Sequence, residues 1–308
     1  MIPNYILVGA MKAGTTKISS RLAQHPQIFV TEPKEPCFFL YQGGNPYELE
    51  LTELSSLDYY LSLFEKAQGN LAIGEASPYY LSCFHCAEAI YKFNPSMKIL
   101  IVLRNPLHRA FSAYRYWHQD TSHHLSQEDF IDAFMTEGLV KFAERGRRHR
   151  IGWMKDIGFY SKHLKRYLDV FPRDNVKVVF YDELVKSPET FFEGIFDFLG
   201  VPHDGAGAEL DSEKVNVTYE AKYHAVRHLL NKGYDGAIVR ALKKTPIGST
   251  LRGVRSRINS INKKEKAEEL TFPSHRYGEL IEVYREDIEA LEAMTGSDLG
   301  GWRTGSML

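Results

Sequence analysis

A lysine and two threonines follow the first apolar segment of the chain within a few residues. Ile6-Leu7-Val8 has the composition of a short buried strand, and residues 9–16 read Gly-Ala-Met-Lys-Ala-Gly-Thr-Thr. Ile18 and Leu22, four residues apart, predict an amphipathic helix directly after this loop. The free N–H groups of a helix N-terminus and its positive dipole end bind anions. Together with the ammonium group of Lys12, they predict a binding site for a phosphate-like group.

A second basic residue stands at the end of another apolar run. Residues 98–103, Lys-Ile-Leu-Ile-Val-Leu, fit a buried parallel strand, and Arg104-Asn105-Pro106 follows it. Ser112 lies eight residues after Arg104, on the helix that is predicted next. Open α/β sheets bind ligands at the carboxyl ends of their strands, and an arginine offers a bidentate fork to a phosphate. Arg104 and Ser112 are therefore predicted to contact a phosphate group.

A candidate proton acceptor lies between these two segments. The short strand Phe29-Val30 leads to Lys34-Glu35-Pro36-Cys37-Phe38-Phe39. An aromatic pair next to Glu35 predicts a partly apolar wall, which would desolvate the carboxylate and favour it as a general base. The alternative is an exposed loop glutamate with no special role, which is the usual environment of this residue type.

The three segments together resemble the family of sulfotransferases that use 3′-phosphoadenosine-5′-phosphosulfate (PAPS), including heparan-sulfate-type and bacterial members. The order Lys-Ala-Gly-Thr-Thr is similar to the family loop that holds the 5′-phosphosulfate. Arg104 and Ser112 have the spacing of the pair that grips the 3′-phosphate in that family. The resemblance thus implies that PAPS is bound by Lys12, Ala13, Gly14, Thr15, Thr16, Arg104 and Ser112.

The same resemblance implies the catalytic base and the acceptor side. Glu35 begins a Glu-x-x-Phe-Phe sequence in which the family glutamate is the base, and His118 is the alternative because some sulfotransferases use a histidine. Residues 74–80, Gly-Glu-Ala-Ser-Pro-Tyr-Tyr, resemble the loop that lines the acceptor, which implies roles there for Glu75, Ser77 and Tyr79. A carboxylate at position 75 would suit a neutral or cationic acceptor, unless it caps a turn or pairs with an arginine.

The pattern of apolar segments predicts the fold class. Predicted strands near 4–8, 28–30, 71–75, 98–103 and 176–180 alternate with helices near 15–24, 56–67, 83–93, 107–118, 126–137, 159–170 and 188–199. This alternation predicts an α/β protein with a central, mainly parallel sheet and helices on both faces. The resemblance adds that this is a P-loop-like three-layer sandwich.

The domain organisation follows from the extent of the resemblance. We predict a single domain over residues 1–308, with a variable region, on the acceptor side or as a cap, at about 203–275. The basic cluster at residues 252–257 is a candidate for closing over the nucleotide. A solvated basic turn is the alternative interpretation of that cluster.

Composition limits the function classes that remain. The 308 residues carry a net charge of −1, which argues against a nucleic-acid-binding protein. No apolar run reaches the ~20 residues of a membrane span, and the N-terminus lacks the pattern of a secretory signal. The three cysteines are Cys37, Cys83 and Cys86, and Cys83-x-x-Cys86 lacks a second pair for a zinc site. We therefore expect a cytoplasmic protein with reduced thiols and no metal site.

These observations predict in-line transfer of a sulfuryl group from PAPS to a hydroxyl or amine of a carbohydrate or small natural product. Glu35 would act as the base, Lys12 would stabilise the leaving 3′-phosphoadenosine-5′-phosphate, and no metal would be needed. A P-loop kinase is one alternative, but it needs a Gly-Lys-[Ser/Thr] loop and a magnesium-binding Asp where this chain has Arg104. A non-catalytic phosphonucleotide-binding protein is the other, and it would not need Glu35.

Overall fold

A five-stranded parallel sheet forms the centre of the structure. The computed structural model describes residues 1–42, 55–120, 126–136, 147–203 and 272–305. The sheet has the order β2-β3-β1-β4-β5, and every neighbouring pair is parallel. Its strands are β1 (Tyr5–Gly9), β2 (Ile28–Val30), β3 (Ala72–Ala76), β4 (Lys98–Leu103) and β5 (Val176–Phe180).

Helices connect and cover these strands. In chain order they are α1 (Thr15–Leu22), α2 (Leu57–Ser62), α3 (Cys86–Phe93), α4 (Pro106–Asp120), α5 (Gln127–Thr136), α6 (Arg147–Asp156), α7 (Tyr160–Leu168), α8 (Tyr181–Lys186), α9 (Pro188–Leu199), α10 (Tyr277–Ile281), α11 (Arg285–Thr295) and α12 (Gly300–Thr304). All residues of β1 and β3 are buried, as expected of a parallel sheet covered on both faces. The connection from β1 to β2 and the connection from β3 to β4 run in opposite directions across the sheet. Because crossovers between parallel strands are right-handed, α1 and α3 lie on opposite faces of the sheet.

The predicted α/β architecture is confirmed. Each of the five strands lies within one residue of its predicted bounds. The C-terminal amphipathic helix also ends at Gly296 as its sequence predicts, because that glycine adopts a left-handed backbone with φ 71°. The sequence did not predict α6, whose ten residues include few apolar ones with helical spacing, or α8, which follows β5 without a loop. Across the described ranges, no helix has the length and apolar character required to cross a membrane.

The strand order creates a crevice at the carboxyl ends of β1 and β4. From β1 the chain crosses toward one edge of the sheet, and from β4 it crosses toward the other. Ligands of open α/β sheets bind at such reversals. The register between β1 and β4 is interrupted between Leu7 and Gly9. The end of β1 therefore changes direction just before the basic loop begins. The fold therefore brings the loop after β1 and the residues after β4 to one place.

Candidate active site

The loop after β1 is shaped around Gly14. This residue has a left-handed backbone with φ 94°, and a Cβ there would lie 2.8 Å from Cδ2 of Tyr181. Glycine is required for both reasons, since it tolerates positive φ and has no side chain to clash. Gly14 is the N-cap of α1, and no side chain caps this helix. The first-turn N–H groups of α1, those of Thr15 and Thr16, are thus left to an anion.

Positive charge is concentrated around Lys12. The pKa of Lys12 is lowered, mainly because the side chain is half-buried, and the positive charges of Arg104, Lys34 and Arg115 lower it further. The carboxylate of Glu35 acts in the opposite direction, so it also lies close by. Lys12 and the three cations that act on it outnumber the one carboxylate among these groups, and such an excess of partly shielded positive charge suits a polyanion.

The residues after β4 hold Arg104 in place. Asn105 caps α4, because its Oδ1 accepts hydrogen bonds of 3.1 Å from the N–H groups of Leu107 and His108. The Arg104 carbonyl accepts a 2.8 Å hydrogen bond from the hydroxyl of Tyr160. Its guanidinium group lies 4.6 Å from the ring centroid of Tyr181, a cation–π distance. The ring that packs on Gly14 therefore also orients Arg104.

One face of α4 is directed toward Lys12. The Lys12 Nζ lies 4.5 Å from the centroid of the Tyr116 ring. Ser112 precedes Tyr116 by one helical turn and lies on the same face, and its side chain is partly exposed. The structure thus brings Lys12, Arg104 and Ser112 to one crevice, as the sequence predicted.

The environment of Glu35 differs from the expected apolar wall. Its carboxylate accepts a 2.8 Å hydrogen bond from Lys34 Nζ, which also donates to Thr16 Oγ1 at 2.9 Å. The Glu35 side chain is 36% exposed. Phe38 and Phe39 turn into the hydrophobic core instead of lying beside it. The expectation of an aromatic wall was wrong, and Glu35 is linked through Lys34 to the helix N-terminus at the loop.

Glu75 is a buried anchor. Its side chain is 0% exposed, and its two oxygens accept hydrogen bonds from the hydroxyls of Ser77, Tyr60 and Tyr80, at 2.5, 3.1 and 3.0 Å. Burial raises the pKa of Glu75 to about 7, although the three hydroxyl donors oppose that rise. This carboxyl neither caps a turn nor pairs with an arginine. Ser77 is also fully buried, so both side chains lie in the interior, and their role on the acceptor side stays a prediction.

The Glu75 network holds the segment that carries Glu35. The Ser77 hydroxyl accepts a 3.1 Å hydrogen bond from the Cys37 N–H, and the Tyr80 hydroxyl accepts one of 3.3 Å from the Phe39 N–H. Both hydroxyls donate to Glu75 at the same time. Two chains of hydrogen bonds, one through the Ser77 hydroxyl and one through the Tyr80 hydroxyl, therefore connect the backbone after Glu35 to the buried carboxyl of Glu75.

Tyr79 stays the candidate for the acceptor side. Burial raises its pKa to about 12, and the negative charge of Glu35 adds to the rise, so the two side chains lie near each other. The ring of Tyr79 stacks on Trp153, with centroids 6.3 Å apart and an interplanar angle of 11°. Since Trp153 is buried and Tyr79 is partly exposed, Trp153 holds the ring of Tyr79 in place near Glu35.

Two expectations lie outside the described residues. The alternative base His118 belongs to α4, but its side chain is not among those that the structure describes. The basic cluster at residues 252–257 and most of the variable region also lie outside the described ranges.

The comparisons with known proteins establish the family. Residues 3–222 match the family profile described as "Sulfotransferase domain". The chain belongs to the sulfotransferase family. A crystal structure of a sulfotransferase from Alicyclobacillus acidocaldarius superimposes with a TM-score of 0.63 and 26% identity, covering 98% of this chain and 99% of that one.

Curated relatives of this sulfotransferase include two human heparan sulfate enzymes. Heparan sulfate glucosamine 3-O-sulfotransferase 6 is 28% identical over 207 residues, which cover 65% of this chain and 52% of the relative. Bifunctional heparan sulfate N-deacetylase/N-sulfotransferase 2 is 26% identical over 207 residues, covering 65% of this chain and 22% of the relative. The chain therefore spans about half the length of the first relative and less of the second.

Sequence reasoning missed several residues of this sulfotransferase site. Lys34 directly precedes Glu35, and Arg115 follows Ser112 by one helical turn, so adjacency and helical spacing were the available signals. Tyr181 opens an acidic turn after a core strand, a context that indicates scaffold and gives no sign of a role in the site. Trp153 lies on the helix that the sequence did not predict, and no motif marks it.

The buried carboxyl of this sulfotransferase predicts a pH-dependent stability. A folded-state pKa raised from 4.5 to about 7 means that Glu75 ionises first in the unfolded state, so stability falls as pH rises across that interval. The full loss is on the order of 3 kcal/mol, because one pKa unit corresponds to about 1.4 kcal/mol. We expect Glu75→Gln to remove this loss. Urea unfolding of both proteins between pH 4.5 and 8 measures it, with exposed Glu65 changed to Gln as the control. Parallel stability curves for wild type and Glu75→Gln would contradict the expectation.

Proposed function

We propose that this sulfotransferase transfers the sulfuryl group of PAPS to a hydroxyl or amine of a carbohydrate or small natural product. The observation that carries the proposal is the set of charges that act on half-buried Lys12, namely those of Arg104, Lys34, Arg115 and Glu35, beside the uncapped N-terminus of α1. A donor with a 5′-phosphosulfate and a 3′-phosphate supplies the negative charge that this cluster lacks. Glu35 then stands where the acceptor must lose its proton.

The two ends of the donor have separate partners in this proposal. The N–H groups of Thr15 and Thr16 and the ammonium of Lys12 bind the 5′-phosphosulfate, as expected of an uncapped helix N-terminus. Arg104 and Ser112 bind the 3′-phosphate, with the Arg104 guanidinium oriented by the ring of Tyr181. Tyr181 lies between the two phosphate positions because it packs on Gly14 as well.

The proposed transfer breaks one bond and forms one bond at sulfur. Glu35 accepts the proton of the acceptor hydroxyl or amine, whose oxygen or nitrogen attacks the sulfur in line with the leaving oxygen. The bond between sulfur and the bridging oxygen breaks, and its electron pair stays on the 5′-phosphate of the product, 3′-phosphoadenosine-5′-phosphate. Lys12 and the helix N-terminus stabilise the charge that develops on this oxygen.

The acceptor class rests on the ring of Tyr79 near Glu35. This ring is partly exposed and stacks on the buried ring of Trp153, and the flat face of a sugar or a ring of a natural product packs well on an exposed aromatic ring. The named relatives are a heparan sulfate glucosamine 3-O-sulfotransferase and a heparan sulfate N-deacetylase/N-sulfotransferase, which makes saccharide hydroxyls and amines the first acceptors to test. The cytoplasmic localisation stays a prediction.

Binding and turnover test the proposal separately. PAPS and ATP are titrated calorimetrically into the pure protein with and without magnesium, and labelled PAPS is then incubated with an acceptor library. We expect tight PAPS binding without magnesium and transfer of label to an acceptor. Magnesium-dependent ATP binding that exceeds PAPS binding would point to a kinase. PAPS binding with no transfer to any acceptor class would point to a non-catalytic binding protein.

Arg104→Ala should weaken binding of 3′,5′-bisphosphorylated adenosine and leave adenosine 5′-phosphate almost unaffected. Losing a charge-assisted phosphate contact costs about 1.5–3 kcal/mol, or roughly 10- to 150-fold in Kd. Calorimetry with both nucleotides measures the difference. Arg285→Ala is the control, because this exposed arginine pairs with Glu282. Equal losses for both nucleotides would mean that Arg104 has only a structural role.

A further inference from the structure

Two cysteines and a histidine form a cluster between β3 and α3. The ligand atoms of Cys83, His85 and Cys86 all lie within 4.8 Å of one another. Cys83 and Cys86 are buried, while the ring of His85 is half-buried at their outer side. The sulfotransfer mechanism proposed above uses none of these three side chains.

The separations within the cluster fit a tetrahedral ion. Cys83 Sγ lies 3.4 Å from His85 Nδ1. Ligands around a tetrahedral zinc ion, with Zn–S and Zn–N bonds of about 2.3 and 2.0 Å, lie about 3.5–3.8 Å apart. The widest separation in the cluster is below 4.8 Å, so side-chain shifts of about 1 Å complete the set.

One ring nitrogen of His85 is hydrogen-bonded and leaves the other available to an ion. His85 Nε2 donates a 3.1 Å hydrogen bond to the carbonyl oxygen of Phe39, so a proton on Nε2 leaves the lone pair of Nδ1 free. Cys83 Sγ lies 3.4 Å from Nδ1 and 3.6 Å from Nε2, so a turn of the ring is needed to direct that lone pair at an ion held by the thiolates. Histidine ligands of metals usually donate their other N–H to a carbonyl or carboxylate in this way. The carbonyl here belongs to the segment that follows Glu35.

The backbone also fixes the three residues before any ion binds. Cys83 N–H donates to the Tyr80 carbonyl in a turn, and the His85 carbonyl accepts from Ala89 in the first turn of α3. His85 is the N-cap of this eight-residue helix and Cys86 is its first residue. The positive end of the helix dipole favours the thiolate that a metal ligand must become.

We propose that Cys83, His85 and Cys86 bind one zinc ion. Two thiolates and a neutral imidazole suit this ion, and two thiol protons leave when it binds. Water takes the fourth position on the half-buried side of His85. Cys83-x-x-Cys86 lacks the second cysteine pair on which a zinc prediction from sequence rests, but His85 supplies the third ligand within the same four residues.

Cobalt(II) chloride is the probe for this site. Cobalt bound to a thiolate has a charge-transfer absorption band, and cobalt bound only to imidazole lacks that band. The distinction matters because the chain has twelve histidines. The full chain is reduced, freed of metal with a chelator, titrated with cobalt and then with zinc chloride. We expect the band to saturate at about one equivalent and to disappear when zinc displaces cobalt. Absence of the band in the wild type would overturn the proposal without any variant.

Single substitutions then identify the ligands. Cys83→Ser and Cys86→Ser should abolish the band, and His85→Ala should weaken cobalt binding at least ~10-fold, a typical loss for a perturbed metal site. Cys37→Ser is the matched control, because it also removes one thiol but lies outside the cluster. Circular dichroism of each variant checks folding.

Three outcomes of this series would overturn the assignment. They are loss of the band in Cys37→Ser, retention of the band in folded Cys86→Ser, and a wild type without a band whose Cys83 and Cys86 oxidise to a disulfide. The last outcome would make the pair a redox dithiol. The readout contains neither PAPS nor acceptor, so failure here leaves the proposed sulfuryl transfer untouched.

Discussion

Lys12→Ala is expected to slow sulfuryl transfer by roughly two to four orders of magnitude, as for other groups that stabilise charge on a leaving oxygen. Lys12 lies in the loop after β1, half-buried, with Arg104, Lys34 and Arg115 around it. Partial burial strengthens its interaction with a developing negative charge, because less water screens that charge. Alanine removes the charge. The left-handed backbone of residue 12, at φ 66°, is then held by the surrounding loop alone.

Single-turnover rates at saturating PAPS measure this effect, since saturation separates the chemical step from donor binding. Lys66→Ala is the control, because it removes an exposed lysine from the segment before β3. We expect the control to retain the wild-type rate. A Lys12→Ala rate within about threefold of wild type would show that the leaving oxygen is stabilised by other groups.

Glu35→Gln is expected to bind PAPS normally while turnover falls about 10²- to 10⁴-fold, the usual contribution of a general base. Glutamine keeps the shape of the side chain and can still accept a hydrogen bond from Lys34 through its amide oxygen. It cannot accept a proton. The link from Lys34 to Thr16 at the donor loop is therefore retained, and only the chemical step is affected.

Two further variants serve as comparisons for the turnover of Glu35→Gln. Glu32→Gln removes an exposed carboxylate from the same segment and should keep wild-type turnover. His118→Ala tests the alternative base on α4. Normal turnover in Glu35→Gln with an inactive His118→Ala would assign the base to the histidine. Normal turnover in both would mean that neither residue deprotonates the acceptor.

Local sequence pattern predicted the placement of Lys12 and Arg104 in the fold well. Lys12 and Arg104 both follow continuous apolar strands, and the carboxyl ends of β1 and β4 are adjacent in a parallel sheet. The distance along the chain between the two residues is therefore irrelevant, because the strand order determines their proximity. A pattern of short buried strands is also the strongest signal that an α/β fold leaves in a sequence.

The environment of each carboxylate could not be predicted in the same way. Glu35 stands beside two aromatic residues in the sequence, yet Phe38 and Phe39 pack inward and Lys34 is its partner. Glu75 ends a predicted strand, but its partners are the hydroxyls of Tyr60 on α2 and of Ser77 and Tyr80 after β3, which its own segment does not indicate. Such partners depend on tertiary packing, and burial determines which carboxyl has the perturbed proton affinity.

The hydrogen bonds that tie the backbone after Glu35 to Glu75 all approach from the inside of the protein. Glu32, which precedes Glu35, lies on the exposed side of the chain and takes part in neither of these two hydrogen bonds. A substitution at this position leaves both attachments in place. The outer side of the segment can therefore vary in sequence without loosening the backbone that carries Glu35.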